Sequence, residues 1–213
     1  MLIPDGPFKG LRKNGYRAIL MDVPWTFLTR SDKGKDRSPE QHYTTMTLDQ
    51  IKALPIRDLV HPEGTVLHFW VIDTHVQMAL DTVRALGFTY KTVGFYWAKT
   101  NKDGSFFTGM GFWTRANPEH AYEAYFGETE QEVERSFLAT VGAPKRIGKN
   151  VPRLIVAPRR EHSRKPDEIH DRIERLTDGP YLELFAREFR PGWMTWGNED
   201  MKFGGDPEAE ALI

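Results

Sequence analysis

The tetrapeptide Asp22–Trp25, with the sequence Asp-Val-Pro-Trp, combines groups that an aromatic amine substrate needs. The Asp22 carboxylate and the Val23 carbonyl can each accept a hydrogen bond from the amine, which favours the pyramidal nitrogen that attacks a methyl sulfonium. Such an arrangement requires no strong base. The Trp25 ring can stack on a base that has been extruded from a nucleic-acid helix. The alternative interpretation is an Asp-Pro turn beside a core tryptophan.

The strands predicted around this tetrapeptide belong to an alternating α/β chain. Residues 16–22 predict a buried strand that Pro24 ends, so that Asp22 lies at the strand's carboxyl end. Residues 64–73 form a near-continuous apolar run, which is typical of a strand buried on both faces of a parallel sheet. Further strands are predicted over residues 88–98, 121–126, 154–156, 181–185 and 193–196.

Helices are predicted between these strands. Thr47 is suited to cap a helix that ends at Pro55, and residues 74–86 predict an amphipathic helix. Pro166 fits the first turn of a third helix. Strands that alternate with helices predict a parallel or mixed sheet with helices on both faces.

Three stretches depart from this pattern. Residues 30–41 are rich in Ser, Asp, Lys and Arg and predict a mobile loop that could close over a site. Residues 128–138 are acidic and helix-favouring, and we interpret 128–152 as an insertion or flap. Residues 203–213 predict a flexible acidic tail. The remaining 1–202 predict a single domain, since 213 residues suffice for one α/β domain with a sizeable core.

Composition excludes several kinds of site. The chain has no cysteine, which excludes disulfides, thiolate zinc sites and thiol nucleophiles. No two histidines lie four residues apart on a predicted helix, so no metal site is expected. No apolar run approaches the roughly 20 residues of a membrane-spanning helix. Residues 1–10 lack the pattern of a secretory signal, and we expect a cytoplasmic location.

Basic residues concentrate between Lys145 and Lys165. Eight lysines and arginines oppose Glu161 alone there, a local surplus of seven positive charges in a chain whose net charge is -1. We interpret this basic segment as a phosphate-contacting surface in which Arg159 and Arg160 take part. The alternative interpretation is a solvated surface that happens to be basic.

Short stretches in a fixed order resemble the MT-A70 type of N6-adenine methyltransferases, whose amine-binding motif is Asp-Pro-Pro-Trp. The matching stretches lie at residues 22–25, 43–46, 67–71, 97–99, 119–120, 162–168, 182–187, 192–193 and 196–199. They span nearly the whole chain. Val23 stands where the family usually has its first proline, but Pro24 still pushes Val23 toward an extended conformation. We therefore expect activity to survive with some loss of rigidity.

The resemblance implies a Rossmann-like methyltransferase sheet of permuted order, in which the Asp-Val-Pro-Trp motif precedes the cofactor strand. It implies S-adenosylmethionine as cofactor, with the carboxylate or ribose held by Lys165 and Arg187 and the ribose contacted by Asn198 and Glu199. The full predicted cofactor-binding set is Asp22, Lys165, Glu183, Phe185, Arg187, Asn198 and Glu199. The predicted substrate-binding residues are Tyr43, Lys99, Arg115, Glu119, Arg159 and Arg160, and Tyr43 is the candidate lid residue.

The function expected from the resemblance is that of a site-specific, adenine-specific DNA methyltransferase. DNA is favoured over RNA as the substrate because the sequence shows no added RNA-binding module. Two alternatives stay open: a catalytically silent relative that binds nucleic acid or scaffolds a partner, and a cytosine-N4 methyltransferase. A second copy of the chain or a partner subunit would help a small catalytic domain to grip its substrate.

Overall fold

The structure, a computed structural model, describes residues 1–25, 45–72, 75–107, 134–160 and 164–198. Seven strands in these ranges form one sheet in the order β5-β3-β4-β2-β1-β6-β7. The strands are β1 (Ala18–Met21), β2 (Gly64–Val71), β3 (Thr89–Thr100), β4 (Glu134–Gly142), β5 (Leu154–Pro158), β6 (Tyr181–Leu184) and β7 (Trp193–Trp196). The mixed sheet predicted from the sequence is confirmed.

All of these strands except β4 run in the same direction. Strand β1 pairs in parallel with β2 and β6, β6 with β7, and β3 with β5, whereas β4 is antiparallel to both β2 and β3. The carboxyl ends of six strands therefore lie along one edge of the sheet, which we call the carboxyl edge. The opposite side, where these six strands begin, is the amino edge. In open α/β sheets ligands bind outside the carboxyl ends of the strands.

The described helices are α1 (Leu48–Lys52), α2 (Val76–Ala85) and α3 (Glu168–Leu176). Helix α1 begins with a reciprocal capping box. The Gln50 amide donates to Thr47 Oγ1 at 3.2 Å, and the Thr47 amide donates to Gln50 Oε1 at 2.9 Å. This arrangement satisfies two amide groups that have no partner within the helix, and it confirms Thr47 as the cap.

The helices cover both faces of the sheet, as the sequence predicts. Side chains alternate along β1, so that Ile19 and Met21 belong to the core beneath α1 and α2, while Ala18 and Leu20 belong to the core beneath α3. All four are at most 1% exposed. Burying a side chain such as Ile19 contributes roughly 1.5–3 kcal/mol, and its truncation to alanine would cost about 2–5 kcal/mol. These two cores hold the carboxyl edge in place.

The prediction of an insertion or flap over 128–152 is wrong for residues 134–142. Residues 134–142 form β4, which lies between β2 and β3 in the sheet and pairs with both. Its Phe137 and Ala139 are 2% and 0% exposed. Pairing on both sides and burial of these side chains are typical of a strand in the interior of a sheet. This stretch is therefore a central strand and not a flap.

Other predicted elements lie outside the described residues. These are the loop over 30–41, the strand over 121–126 and the tail over 203–213. The extent of the single domain, 1–202, stays a prediction.

Candidate functional site

An ion pair between Asp22 and Lys165 lies at the carboxyl edge of the sheet. Lys165 Nζ donates to Asp22 Oδ2 at 2.8 Å, although the two residues are 143 positions apart in the sequence. Asp22 follows the last residue of β1, and Lys165 precedes α3. Their side chains are 24% and 13% exposed. A charge pair this well shielded from water interacts more strongly than one on the open surface.

The indole of Trp70 forms part of the surroundings of this ion pair. Lys165 Nζ lies 5.7 Å from the centroid of the Trp70 ring, which is a cation–π distance. Trp70 is 1% exposed, and its Nε1 is buried with no hydrogen-bond partner among the described residues. Buried N–H groups normally find a protein or water acceptor. Trp70 was not among the site residues predicted from the sequence, although it stands one residue before the end of β2.

The turn after Asp22 differs from the prediction in one contact. The Val23 carbonyl, predicted to receive the amine of a substrate, accepts a hydrogen bond from the Trp25 amide at 2.9 Å. A carbonyl oxygen has a second lone pair, so one acceptor position is left for an amine. The Pro24 carbonyl accepts from the Met46 amide at 2.9 Å, which fixes the turn against the residues that precede α1.

The prediction that Trp25 offers a ring face to a base is not supported by its surroundings. Trp25 is 6% exposed, and its ring centroid lies 5.6 Å from that of Phe69 and 5.7 Å from that of His75. The ring packs within the hydrophobic core, because burying so large an aromatic surface is favourable. For Trp25 this agrees with the alternative interpretation, a core tryptophan, and the roles of Asp22 and Val23 stay predictions.

His75, which the sequence analysis did not select, is the other ring beside Trp25. It stands immediately before α2, close to where β2 ends. Burial lowers the pKa of His75 below its usual value, which favours the neutral imidazole. Its position shortly after a parallel strand is the signal that could have identified it.

The residues after β6 and β7 pack closely together at the carboxyl edge. Phe185 has a φ of 63°, in the left-handed region that a bulky residue rarely adopts. Its ring makes an edge contact with Trp196 at 5.3 Å, and the Ala186 amide donates to the Trp196 carbonyl at 3.1 Å. Arg187 is half-buried nearby in sequence, and Asn198 is exposed just after β7.

The first residues of the chain cover this region. Trp196 Nε1 donates to the Pro7 carbonyl at 2.8 Å, and the Phe8 ring makes an edge contact with the Trp196 ring at 5.0 Å. Phe8 is 1% exposed. Residues 7 and 8 therefore fix the orientation of Trp196, two positions before Asn198.

Glu183 has a partner away from the Asp22–Lys165 pair. Its Oε2 lies 2.7 Å from His170 Nε2 of α3, and its strand neighbour on β1 is Leu20, which belongs to the core beneath α3. These contacts place Glu183 in the packing between β6 and α3. Its predicted role in cofactor binding stays a prediction.

Arg159 and Arg160, predicted as a phosphate-binding pair, have different surroundings. Arg160 donates to both carboxylate oxygens of Asp167 at 2.9 and 2.8 Å and also to the Lys165 carbonyl. Hydrogen bonds from Arg160 lower the pKa of the Asp167 carboxyl below its usual value. Arg159 is exposed and holds its guanidinium 3.9 Å from the Phe107 ring centroid. Arg159 is thus the one that faces solvent.

The remaining predicted residues divide into two groups. Lys99 is half-buried, with its Nζ 5.0 Å from the Trp97 ring centroid. Tyr43, Arg115, Glu119 and Glu199 lie outside the described residues, so that their roles stay predictions. Within the described ranges, no group of three or more His, Asp or Glu side chains could hold a metal ion. No helix in those ranges is long and apolar enough to cross a membrane.

A cavity of about 410 Å³ lies at the amino edge, away from the Asp22–Lys165 pair. It contains the Arg17–Glu63 ion pair and Lys145 of the basic segment. The residues that line it are Arg17, Glu63, Gly64, Pro144, Lys145, Thr177, Asp178 and Gly179.

Comparison with known proteins identifies related sequences over most of the chain. The family model described as MT-A70 matches residues 16–199. Human "N(6)-adenine-specific methyltransferase METTL4" is 28% identical over 202 residues, covering 92% of this chain and 40% of the relative. The mouse protein of the same name is 31% identical over 197 residues, covering 88% and 38%. Human "N(6)-adenosine-methyltransferase catalytic subunit METTL3" is 27% identical over 190 residues, covering 86% and 28%. The chain thus spans well under half the length of these relatives.

Proposed function

We propose that this chain, which belongs to the MT-A70 family, transfers a methyl group to the N6 amine of adenine in a nucleic acid. The relatives described above are named as N6-adenine or N6-adenosine methyltransferases. The observation that carries the proposal is the shielded Asp22–Lys165 pair, at 2.8 Å, where the strands of a parallel sheet end. Ligands in such folds bind at this edge.

S-adenosylmethionine is the methyl donor of MT-A70 methyltransferases, and its sulfonium makes the methyl group electrophilic. The residues at the carboxyl edge fit this molecule. The Lys165 ammonium suits its carboxylate, the Asp22 carboxylate suits its ammonium, and the Asn198 amide suits ribose hydroxyls. The buried Trp70 Nε1, which has no acceptor among the described residues, is a further donor beside Lys165.

The chain's own contribution to the reaction is mainly positioning. The exocyclic amine of adenine is a weak nucleophile, because its lone pair is delocalised into the ring. A hydrogen bond from that amine to Asp22 and a second to the Val23 carbonyl would orient the nitrogen toward the methyl group. Holding both reactants in line is worth several orders of magnitude in rate. The S–C bond of the donor would break as the N–C bond forms, and the methylated amine would then lose one proton to the Asp22 carboxylate or to water. Lys165 holds Asp22 in place for this contact.

We propose DNA rather than RNA as the substrate, with Arg159 among the residues that contact phosphate. The two METTL4 relatives are named adenine-specific and the METTL3 relative is named for adenosine, so that their names favour no single polymer. Exposure and a positive charge support the role of Arg159. A cytoplasmic location and a second copy or partner subunit also stay predictions.

The test is methyl transfer from a radiolabelled donor to DNA and RNA oligonucleotides of the same sequence, followed by digestion and identification of the modified nucleoside by mass. We expect N6-methyladenine, with more label in DNA than in RNA. Label on cytosine would favour the cytosine-N4 alternative. A protein that binds S-adenosylmethionine in calorimetry but transfers no label to either polymer would contradict the proposed activity. One that binds nucleic acid and no donor would be the silent relative.

A further inference from the structure

The residues on either side of Lys165, Arg164 and Asp167, each form an ion pair. Arg160 pairs with Asp167, and Arg164 pairs with Glu188, which follows β6. Lys165 lies between Arg164 and Asp167 in the sequence, and its ammonium pairs with Asp22. A lysine side chain has many rotamers, so its ammonium is placed accurately only if the backbone from which it extends is also fixed.

The guanidinium of Arg160 supplies that backbone restraint directly. Its Nη1 and Nη2 donate to the two oxygens of Asp167 at 2.9 and 2.8 Å, and Nη2 also donates to the Lys165 carbonyl. The Arg160 side chain is 24% exposed. A bidentate guanidinium–carboxylate pair has a fixed planar geometry that a lysine cannot reproduce. Arg160 thus joins Lys165 to the first turn of α3.

We propose that Arg160 is a positioning residue that sets the Lys165 ammonium against Asp22, an inference that rests on the proposed function. It does not act as a phosphate contact, although its neighbour Arg159 has the exposure that a phosphate contact needs. Loss of Arg160 therefore weakens binding of the methyl donor and leaves the salt dependence of nucleic-acid binding unchanged. Loss of Arg159 has the opposite effect, because each phosphate contact contributes to the salt slope.

The experiment measures the dissociation constant of S-adenosylmethionine by calorimetry for wild-type protein, Arg160→Lys and a control, Arg190→Lys. Arg190 is 25% exposed and pairs with Asp171 of the same helix α3, so that it matches Arg160 in burial and partner type. We expect affinity to fall about tenfold in Arg160→Lys, the effect of one lost charge-assisted hydrogen bond. We expect Arg190→Lys to bind as the wild type does.

Kinetics provide a second readout. In the methyl-transfer assay Arg160→Lys should raise KM for S-adenosylmethionine more than it lowers kcat, whereas general loss of structure would lower kcat as well. Thermal unfolding checks that the variant folds. If it does not, Asp167→Asn replaces it, since this change weakens the same bidentate contact from the other side, and it should weaken donor binding too.

The outcomes separate the two proposals. Wild-type protein that does not bind S-adenosylmethionine contradicts the proposed function and this inference with it. Wild-type protein that binds, together with Arg160→Lys of equal affinity, overturns the inference alone. Equal weakening by Arg160→Lys and Arg190→Lys also overturns it, because the effect would then come from loosening α3 in general.

Discussion

The two edges of the sheet each carry an ion pair, but only one of the two pairs is shielded from water. At the carboxyl edge Asp22 and Lys165 meet at 2.8 Å with side chains 24% and 13% exposed, beside the Trp70 ring. At the amino edge Arg17 and Glu63 meet at 2.6 Å, and the Glu63 side chain is 71% exposed. Water screens the second pair, since the attraction between charges falls as the local dielectric constant rises.

The two edges also differ in other features of the described residues. The amino edge has a cavity of about 410 Å³. At the carboxyl edge Phe185 has a positive φ, and Trp70 Nε1 has no hydrogen-bond partner among the described residues. Unusual backbone conformations and unsatisfied buried groups cost free energy, and they concentrate where ligands bind. The shielded charge pair and the local strain are thus two independent observations that favour the carboxyl edge as the candidate site.

The largest effect should come from Asp22→Ala. The change removes the acceptor proposed for the amine and leaves the Lys165 ammonium without its carboxylate partner. We expect methyl transfer to fall by about 100-fold or more, comparable to the loss of one well-placed hydrogen-bonding group at other active sites. Incorporation of label into DNA measures it. The matched control is Glu63→Ala at the amino edge, which should keep wild-type activity. Equal losses of activity in the two variants would show that the carboxyl edge has no special role in methyl transfer.

Lys165→Gln should have the next largest effect. Glutamine can still donate a hydrogen bond but lacks the charge, so that it binds a carboxylate more weakly. We expect affinity for S-adenosylmethionine to fall about tenfold, with added salt reducing the difference from wild type. Calorimetry at two ionic strengths measures both quantities. An affinity equal to that of the wild type would exclude Lys165 from cofactor binding.

His68 of β2 is buried in the interior of the sheet, between the two edges. Burial lowers the pKa of His68 from 6.5 to about 3, and neither of its ring nitrogens has a hydrogen-bond partner among the described residues. Below pH 6.5 the unfolded chain therefore binds a proton that the folded chain does not. As the pH is lowered from 6.5 toward 3, this group should therefore decrease the free energy of unfolding by up to about 1.4 kcal/mol per pH unit.

His68→Leu removes this titration at similar side-chain volume. We expect the variant to have a higher free energy of unfolding than wild type at pH 5, with a smaller advantage at pH 7. Urea unfolding at the two pH values measures the difference. A variant whose stability falls between pH 7 and pH 5 as steeply as that of wild type would show that other groups cause the acid sensitivity.

The smallest effect is expected from Val23→Pro. Val23 precedes Pro24 and is therefore already restricted to extended conformations. Replacing it by proline removes only its backbone N–H and its side chain. We expect the rate of methyl transfer to stay within about threefold of wild type, because the Val23 carbonyl keeps its direction. Steady-state kinetics on the same oligonucleotide provides the test. A large loss would mean that the Val23 amide or side chain has a role of its own.

Local patterns in the sequence predict those parts of the molecule that depend on local interactions. The strand just before Asp22 and the cap at Thr47 follow from residue types and spacing, and the structure confirms both. The family pattern also selected Asp22 and Lys165, which the structure brings together across 143 positions. The resemblance placed both residues in the predicted cofactor-binding set, but the hydrogen bond between them was not predicted.

Long-range contacts account for the parts that the sequence did not predict. Residues 134–142 fall within the predicted insertion or flap, but pairing with β2 and β3 makes them a central strand. Arg159 and Arg160 are identical in type, and only the position of Asp167 in three dimensions distinguishes them. Likewise, no local signal shows that Trp25 is covered by Phe69 and His75.

The contact of Phe8 and Pro7 with Trp196 bears on how the protein should be produced. The family match begins at residue 16, so that a recombinant chain shortened to that boundary would lack both residues. Such a chain would uncover the Trp196 ring and leave its N–H to water, two positions from Asn198. Losing a buried phenylalanine typically costs about 3–5 kcal/mol. Residues outside the family match would then decide whether the matched part keeps its shape.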